Sequence, residues 1–265
     1  MLTRAAAGLL GAWMAVSVAQ ADDAAAPPTG DQTWAARAQL GYSKTGGNTD
    51  NSAGNFLFHA AHLMGDWKLL FATDGHYGAT RGETTAQAWD AALQANYNIT
   101  PKLYWYVGLS HIDDRFSGFA YQEAVKSGAG YQFIQTDATR LSAQVGVGYR
   151  RLRPEILVKD EVGGIISRTE LDAESDAVLD GGLTFEHAFN EATKLLASAN
   201  VEAGQQNTLT TAAITLQVKM THTLALAAGY QISDNSKPPA GSGRRDSLTT
   251  LNLVWQLPNE KLKSE

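Results

Sequence analysis

Cysteine is absent from the 265 residues. That excludes disulfides, thiolate metal sites and an N-terminal lipid anchor on cysteine. Basic residues are in short supply, 21 Lys+Arg against 27 Asp+Glu, for a formal net charge of −6. Such a surface is a poor nucleic-acid binder, because affinity for phosphate backbones comes from clustered Lys and Arg. Beyond the N-terminus no apolar run reaches the roughly 18 residues of a membrane helix, so a helical membrane protein is excluded. A membrane β-barrel is not, since its strands alternate and its average hydropathy stays low. Proline is sparse: Pro27, Pro28, Pro101, Pro154, Pro238, Pro239 and Pro258.

What the N-terminus does hold reads as an address. Arg4 supplies a positive n-region, Ala5 to Val18 an apolar stretch, and Ala19-Gln20-Ala21 a small-residue cleavage site. Residues 1–21 are therefore expected to be a secretory signal peptide. Its removal would take only Arg4 from the basic side, leaving 20 basic against 27 acidic residues. Residues 22–33, with Ala24-Ala25-Ala26-Pro27-Pro28, read as a flexible leader.

From Trp34 the dominant period is two. Leu141, Ala143, Val145, Val147 and Tyr149 alternate with Arg140, Ser142, Gln144, Gly146, Gly148 and Arg150. Trp89 to Asn98, Leu195 to Ala203 and Leu224 to Ser233 repeat the split. Twelve strands are predicted: 34–43, 52–62, 67–77, 84–98, 103–113, 120–133, 140–152, 173–189, 194–204, 209–219, 223–233 and 247–257. His59 and His62 blur the second, and Glu123 falls on the apolar face of the sixth. All seven prolines lie outside these segments, as the loss of a ladder donor requires. Connections after even strands are tight, whereas Arg153 to Asp172 and Asp234 to Asp246 are long. The fold class is thus all-β, an antiparallel up-and-down transmembrane barrel of about 12 strands over residues 34–257, with a polar tail at 258–265.

Three features set lipid on the apolar face. The polar face holds Gly, Asn, Gln, Ser and a few charges, a poor oil core. The apolar face is moderate, rich in Ala and Leu. Aromatics gather at strand ends: Trp34, Trp67, Trp105, Tyr97, Phe133, Phe189 and Trp255 at one level, Tyr42, Tyr77 and Tyr149 at the other. Two girdles about 25 Å apart are what ring side chains at each lipid–water interface produce. Gly-Tyr recurs at Gly41-Tyr42, Gly130-Tyr131, Gly148-Tyr149 and Gly229-Tyr230, the glycine facing the lumen.

The first strand and turn, Leu40-Gly41-Tyr42-Ser43-Lys44-Thr45-Gly46-Gly47-Asn48-Thr49-Asp50, resemble the family described as salt-induced outer-membrane proteins. Its members carry a Ser-Gly-Asn-Thr-like turn, here with Gly46 in place of the serine. The resemblance implies an outer-membrane barrel and no established activity. Where barrels of this kind commonly end on an aromatic read by the assembly machinery, this chain has Leu251, Leu253, Trp255 and Leu257, then the tail.

Alternation turns Arg37, Asp90, Lys126, Arg150, Asp180 and Glu202 into the lumen. Two uses fit: ion pairs that fill a closed lumen, or the charged lining of a narrow path for small solutes. No basic ladder commits that path to anions. In the 153–172 connection, Gly163-Gly164 suggests a small external hairpin; a plug folded into the mouth and a solvated loop are the alternatives. Its acids could hold divalent cations bridging lipopolysaccharide phosphates.

Enzyme signatures are missing. None of His59, His62, His76, His111, His187 and His222 sits in a metalloprotease pattern, and no Gly-x-Ser-x-Gly elbow occurs. Asp74 and His76 share the lumenal face of the third strand and Ser110 that of the fifth, with a strand between them. Asp113-Asp114 reads as a solvated rim. No catalytic, cofactor or metal residue is assigned. The expectation is a monomeric, non-enzymatic outer-membrane barrel, structural or a narrow channel, whose partners are lipid, lipopolysaccharide and the barrel assembly machinery. An outer-membrane hydrolase and a soluble periplasmic barrel binding an apolar ligand are the alternatives.

Overall fold

The computed structural model describes residues 33–45, 50–238 and 243–256. The expected signal segment, leader and tail, and the Gly46 to Thr49 turn, lie outside them.

The period-two segments form β1 (Thr33–Thr45), β2 (Asn51–Met64), β3 (Trp67–Thr80), β4 (Glu83–Asn98), β5 (Leu103–Asp114), β6 (Phe119–Gln135) and β7 (Thr139–Lys159). There follow a short β8 (Ile165–Glu170), then β9 (Glu174–Ala188), β10 (Thr193–Gly204), β11 (Thr208–Lys219), β12 (Leu224–Asn235) and β13 (Arg245–Gln256). Every neighbour in the wall is antiparallel, and β1 pairs with β13 through Arg37↔Gln256 to Leu40↔Leu253. Twelve strands thus close into a barrel, and β8 stands outside the ring, paired only to β7. Closure removes the unpaired edges that an open sheet would leave. The start of β1 and the end of β13 mark one end of the barrel, here called lower; the opposite end is upper.

The alternating residues separate as the pattern requires. Val145, Val147, Leu93 and Leu226 are exposed on the outside, Val145 at 66%. The lower aromatic ring from Trp34 to Trp255 and the upper Tyr42, Tyr77 and Tyr149 are exposed on the same face. Trp67 and Tyr97 pack at 5.1 Å within the lower ring. Inside, polar residues are buried beside a few small or aliphatic ones: Gln39, Asn96, Gln122, Gln217 and Asn252 with Leu70, Ala72 and Val254. The molecule is apolar outside and polar inside, the inverse of a soluble barrel, and fits hydrocarbon around it.

The ambiguous residues resolve individually. His59 is buried inside opposite Arg37, whereas His62 lies outside under the Trp34 ring, 4.0 Å between centroids. Glu123 does face outward, where its carboxylate meets His111 Nδ1 at 3.3 Å.

The recurrent inward glycines have a steric reason. A Cβ on Gly130 would enter the Tyr104 ring, and one on Gly146 would meet the Tyr106 hydroxyl. Both tyrosines lie buried against the inner wall across β6 and β7, which is possible only because those strands carry no side chain beneath them.

The 153–172 segment is not a solvated loop. β7 runs on past the barrel to Lys159 and returns as β8. Pro154, expected outside any strand, lies within β7. It falls at the irregularity between Phe119 and Tyr121 of β6, where β7 departs from the wall and the missing N–H costs no ladder bond.

Candidate functional site

The interior is stratified. Uppermost is the β7–β8 hairpin, fixed at its base by Arg168. This guanidinium donates from Nε to Glu155 Oε2 at 3.0 Å and from Nη2 to Oε1 at 2.5 Å. Glu155 is buried, and the fork holds Arg168 above its ordinary range. At the tip, Lys159 Nζ donates to the Phe116 carbonyl at 3.2 Å and lies over the Phe116 ring. Burial pushes the Lys159 ammonium below its ordinary range, while Asp114 of β5 and Asp246 of β13 act to raise it. Those two acids stand on walls separated by four intervening strands, so the hairpin leans over the mouth rather than standing upright. Asp114 is not a solvated rim acid either: it is buried, and its Oδ1 accepts from Phe116 N at 2.9 Å to hold the β5–β6 turn.

Beneath the hairpin an apolar layer crosses the lumen. Phe119 of β6 and Leu152 of β7 are buried together, with Ile112 of β5 and Leu209 of β11 packed against them. Leu209 reaches them from three strands beyond β7 around the ring. Apolar side chains face inward here, where the strands elsewhere present polar ones.

Below that layer lies one connected ion network. Tyr106 donates to Asp180 at 2.9 Å. Lys126 bridges Asp180 at 2.8 Å and Glu202 at 2.6 Å. Arg150 bridges Glu202 at 3.1 Å and Asp176 at 3.5 Å, and also donates to the Asn207 side chain. Asn207 passes the chain to Asn235 at 3.0 Å. Arg150 is only 2% exposed. Six strands are tied together at this level, and each buried charge has a counter-charge, the condition under which burial is tolerable. A cavity of about 100 Å³ remains beside the network, reached by Asp90, Gln144 and Asn200.

The lower half holds a larger chamber of about 170 Å³. Arg37, Gln39, Asn55, His59, Arg140 and Glu186 are among its walls. Gln39, with its amide oxygen toward the guanidinium, accepts from Arg37 Nε at 2.9 Å. Asn55 donates to Asn252 at 3.1 Å across the closing seam.

The six charges anticipated from alternation therefore occupy three settings. Lys126, Arg150, Asp180 and Glu202 are brought into one network. Asp90 stands apart, opposite Asp74 on β3, with a side-chain hydrogen bond between the two carboxyls. Arg37 is alone in the lower chamber. Sequence reasoning set Arg140 on the polar face without counting it among the lumenal charges, and missed Asp176 and the apolar layer. Asp176 carries a signal, since it shares the inward parity of Asp180 along β9.

No hydrolytic arrangement is assembled among the described residues. Asp74 and His76 sit on β3 and Ser110 on β5, with Ala92 of β4 opposite Ser110. His111 pairs with Glu123 on the outside, and His187 contacts Thr139 Oγ1 at 2.9 Å. No cluster of three or more metal-ligating side chains occurs among the described residues.

Residues 38–257 match the family model described as a protein of unknown function, DUF481. The chain is similar to the uncharacterized protein YdiY of Escherichia coli (strain K12), 21% identical, over 87% of this chain and 86% of the other. Among solved structures it is similar to the NanC porin, at 13% identity and TM-score 0.46, covering 85% of this chain and all of that one. The beta domain of the Bordetella autotransporter BrkA is similar at 12% identity and TM-score 0.42, over 85% of this chain and 98% of the other.

Proposed function

The chain belongs to the DUF481 family, and from that premise we propose that it is an integral outer-membrane barrel that is closed at rest and serves the envelope structurally rather than as a wide porin or an enzyme. One observation carries the closed state: Ile112 of β5 and Leu209 of β11 pack from either side onto the buried Phe119–Leu152 pair of β6 and β7, so that apolar side chains span nearly half the ring. Below that contact every charge in the network has an opposite charge beside it, so the lumen is braced. The apolar exterior between two aromatic rings supports the membrane location, with the lower end, where the described chain begins and ends, toward the periplasm.

A second reading, a narrow conduit for small polar solutes, is favoured by the two interior spaces of about 170 and 100 Å³. In it the apolar layer is a gate that dewets. Single-channel recording in planar bilayers separates the two. The closed barrel gives no discrete steps at moderate voltage; reproducible steps from the wild-type chain establish the conduit. Heat-modifiable migration tests the membrane barrel itself, since an unboiled sample that migrates like the boiled one contradicts it.

A further inference from the structure

We propose that the lower chamber is a binding site for a small oxyanion, carboxylate or phosphate in type, held between the guanidinium groups of Arg37 and Arg140. This goes beyond the closed-barrel reading and does not require a conducting lumen.

Charge is distributed unequally between the two halves of the interior. In the upper network each cation has at least one carboxylate within 3.5 Å. In the lower chamber Arg37 and Arg140 have none within ion-pair distance among the described residues. Arg37 is 7% exposed, and Gln39 accepts from its guanidinium. Arg140 has a buried Nε with no acceptor. Both line the same 170 Å³ space from strands on opposite sides of the ring.

Glu186 acts on Arg37 through space, but among the described residues no acid of the chamber forms an ion pair with either arginine. Glu186 is Arg140's cross-strand partner, yet its carboxylate is engaged by Lys194 at 3.2 Å. Asp74 stands opposite Asp90 on β4, and with Glu186 held by Lys194 it is the one carboxylate of the chamber set against two guanidinium groups. The space is thus left with a positive excess. A buried guanidinium without a counter-charge is costly, and its planar fork of donors matches the two oxygens of a carboxylate or phosphate. Amide groups of Gln39, Asn55 and Asn252 supply the remaining polar wall, and His59 stands beside Arg37. The chamber also reaches Gln135, an exposed residue next to the lower turn, which gives an anion a way in from that side.

The test uses the purified full-length protein in lipid nanodiscs. The apparent Tm is titrated with sodium phosphate and with sodium acetate, each against sodium chloride at equal ionic strength. The expected result is a saturable rise with at least one of the two, following single-site linkage. Arg37→Gln and Arg140→Gln should each shift its midpoint at least tenfold upward, whereas Lys219→Gln, at the lower rim, should leave it unchanged. A second measurement needs no variant. In the wild-type protein, phenylglyoxal modification read by peptide mass spectrometry should slow at Arg37 and Arg140 when the stabilising anion is present. No saturable rise with either anion, a midpoint indifferent to both arginines, or unprotected modification overturns the site. A conducting wild-type barrel would overturn the closed state instead and leave this titration intact.

Discussion

The hydroxyl of Tyr106 on β5 donates a 2.9 Å hydrogen bond to Asp180 on β9, three strands away along the wall. The ring can lie that far over because Gly128 and Gly146 present no side chains beneath it. Asp180 is buried and has its other oxygen on Lys126. Tyr106→Phe keeps the ring and deletes one of the two partners. It should destabilise the barrel by about 1–3 kcal/mol, the cost of leaving a buried acceptor short of a donor. Urea unfolding in phospholipid vesicles measures it; an unchanged midpoint would mean that water already satisfies Asp180.

Gly146→Ala places a methyl group against the Tyr106 hydroxyl and within 2.6 Å of the Ser127 carbonyl. Overpacking of this kind costs about 1–3 kcal/mol. Gly181→Ala, on the outward face of β9 with nothing within 4 Å, is the matched control and should stay within about 0.5 kcal/mol of wild type. Equal loss in the two variants would point to a backbone effect and away from the tyrosine bed.

Arg150→Met removes the cation shared by Glu202 and Asp176 and leaves both acids in the interior. Removing one member of a buried ion pair costs about 3–5 kcal/mol. The yield of heat-modifiable folded protein should fall accordingly. A variant as stable as wild type would show that solvent reaches the network freely.

Leu209→Ser converts the β11 member of the apolar layer into a hydroxyl. Water should then cross from the mouth to the network, and the variant should show discrete current steps where wild type shows none. A silent variant would transfer the seal from this layer to the β7–β8 hairpin above it.

Much of this fold could be read from the chain. Alternation located all twelve wall strands, because a sheet with lipid on one side and polar groups on the other enforces a period of two. Parity also put Arg37, Asp90, Lys126, Arg150, Asp180 and Glu202 on one face. Which of them meet could not be read, since that depends on the stagger around a closed ring: Lys126 of β6 pairs with Glu202 of β10 across two intervening strands. The apolar layer was hidden because Leu152, Phe119 and Ile112 occur at strand ends, where inward apolar residues look like a pattern fading out. Arg140 was legible on the polar face of the seventh strand, but that it shares a chamber with Arg37 was not, because the two strands lie on opposite sides of the ring. Pro154 marked the 153–172 segment as loop, although a proline is harmless at a bulge where β7 leaves the wall.

The claim beneath all of this is that hydrocarbon surrounds the barrel and water fills its interior. Val145 is outward, midway between Leu141 and the upper-ring Tyr149, and its chain neighbour Gln144 points to the upper cavity. Urea unfolding in phosphatidylcholine vesicles should show Val145→Arg destabilised by about 2–4 kcal/mol, the depth-dependent cost at a bilayer midplane. Gln144→Arg should lose much less. The opposite ranking, or two equal losses, would contradict the orientation.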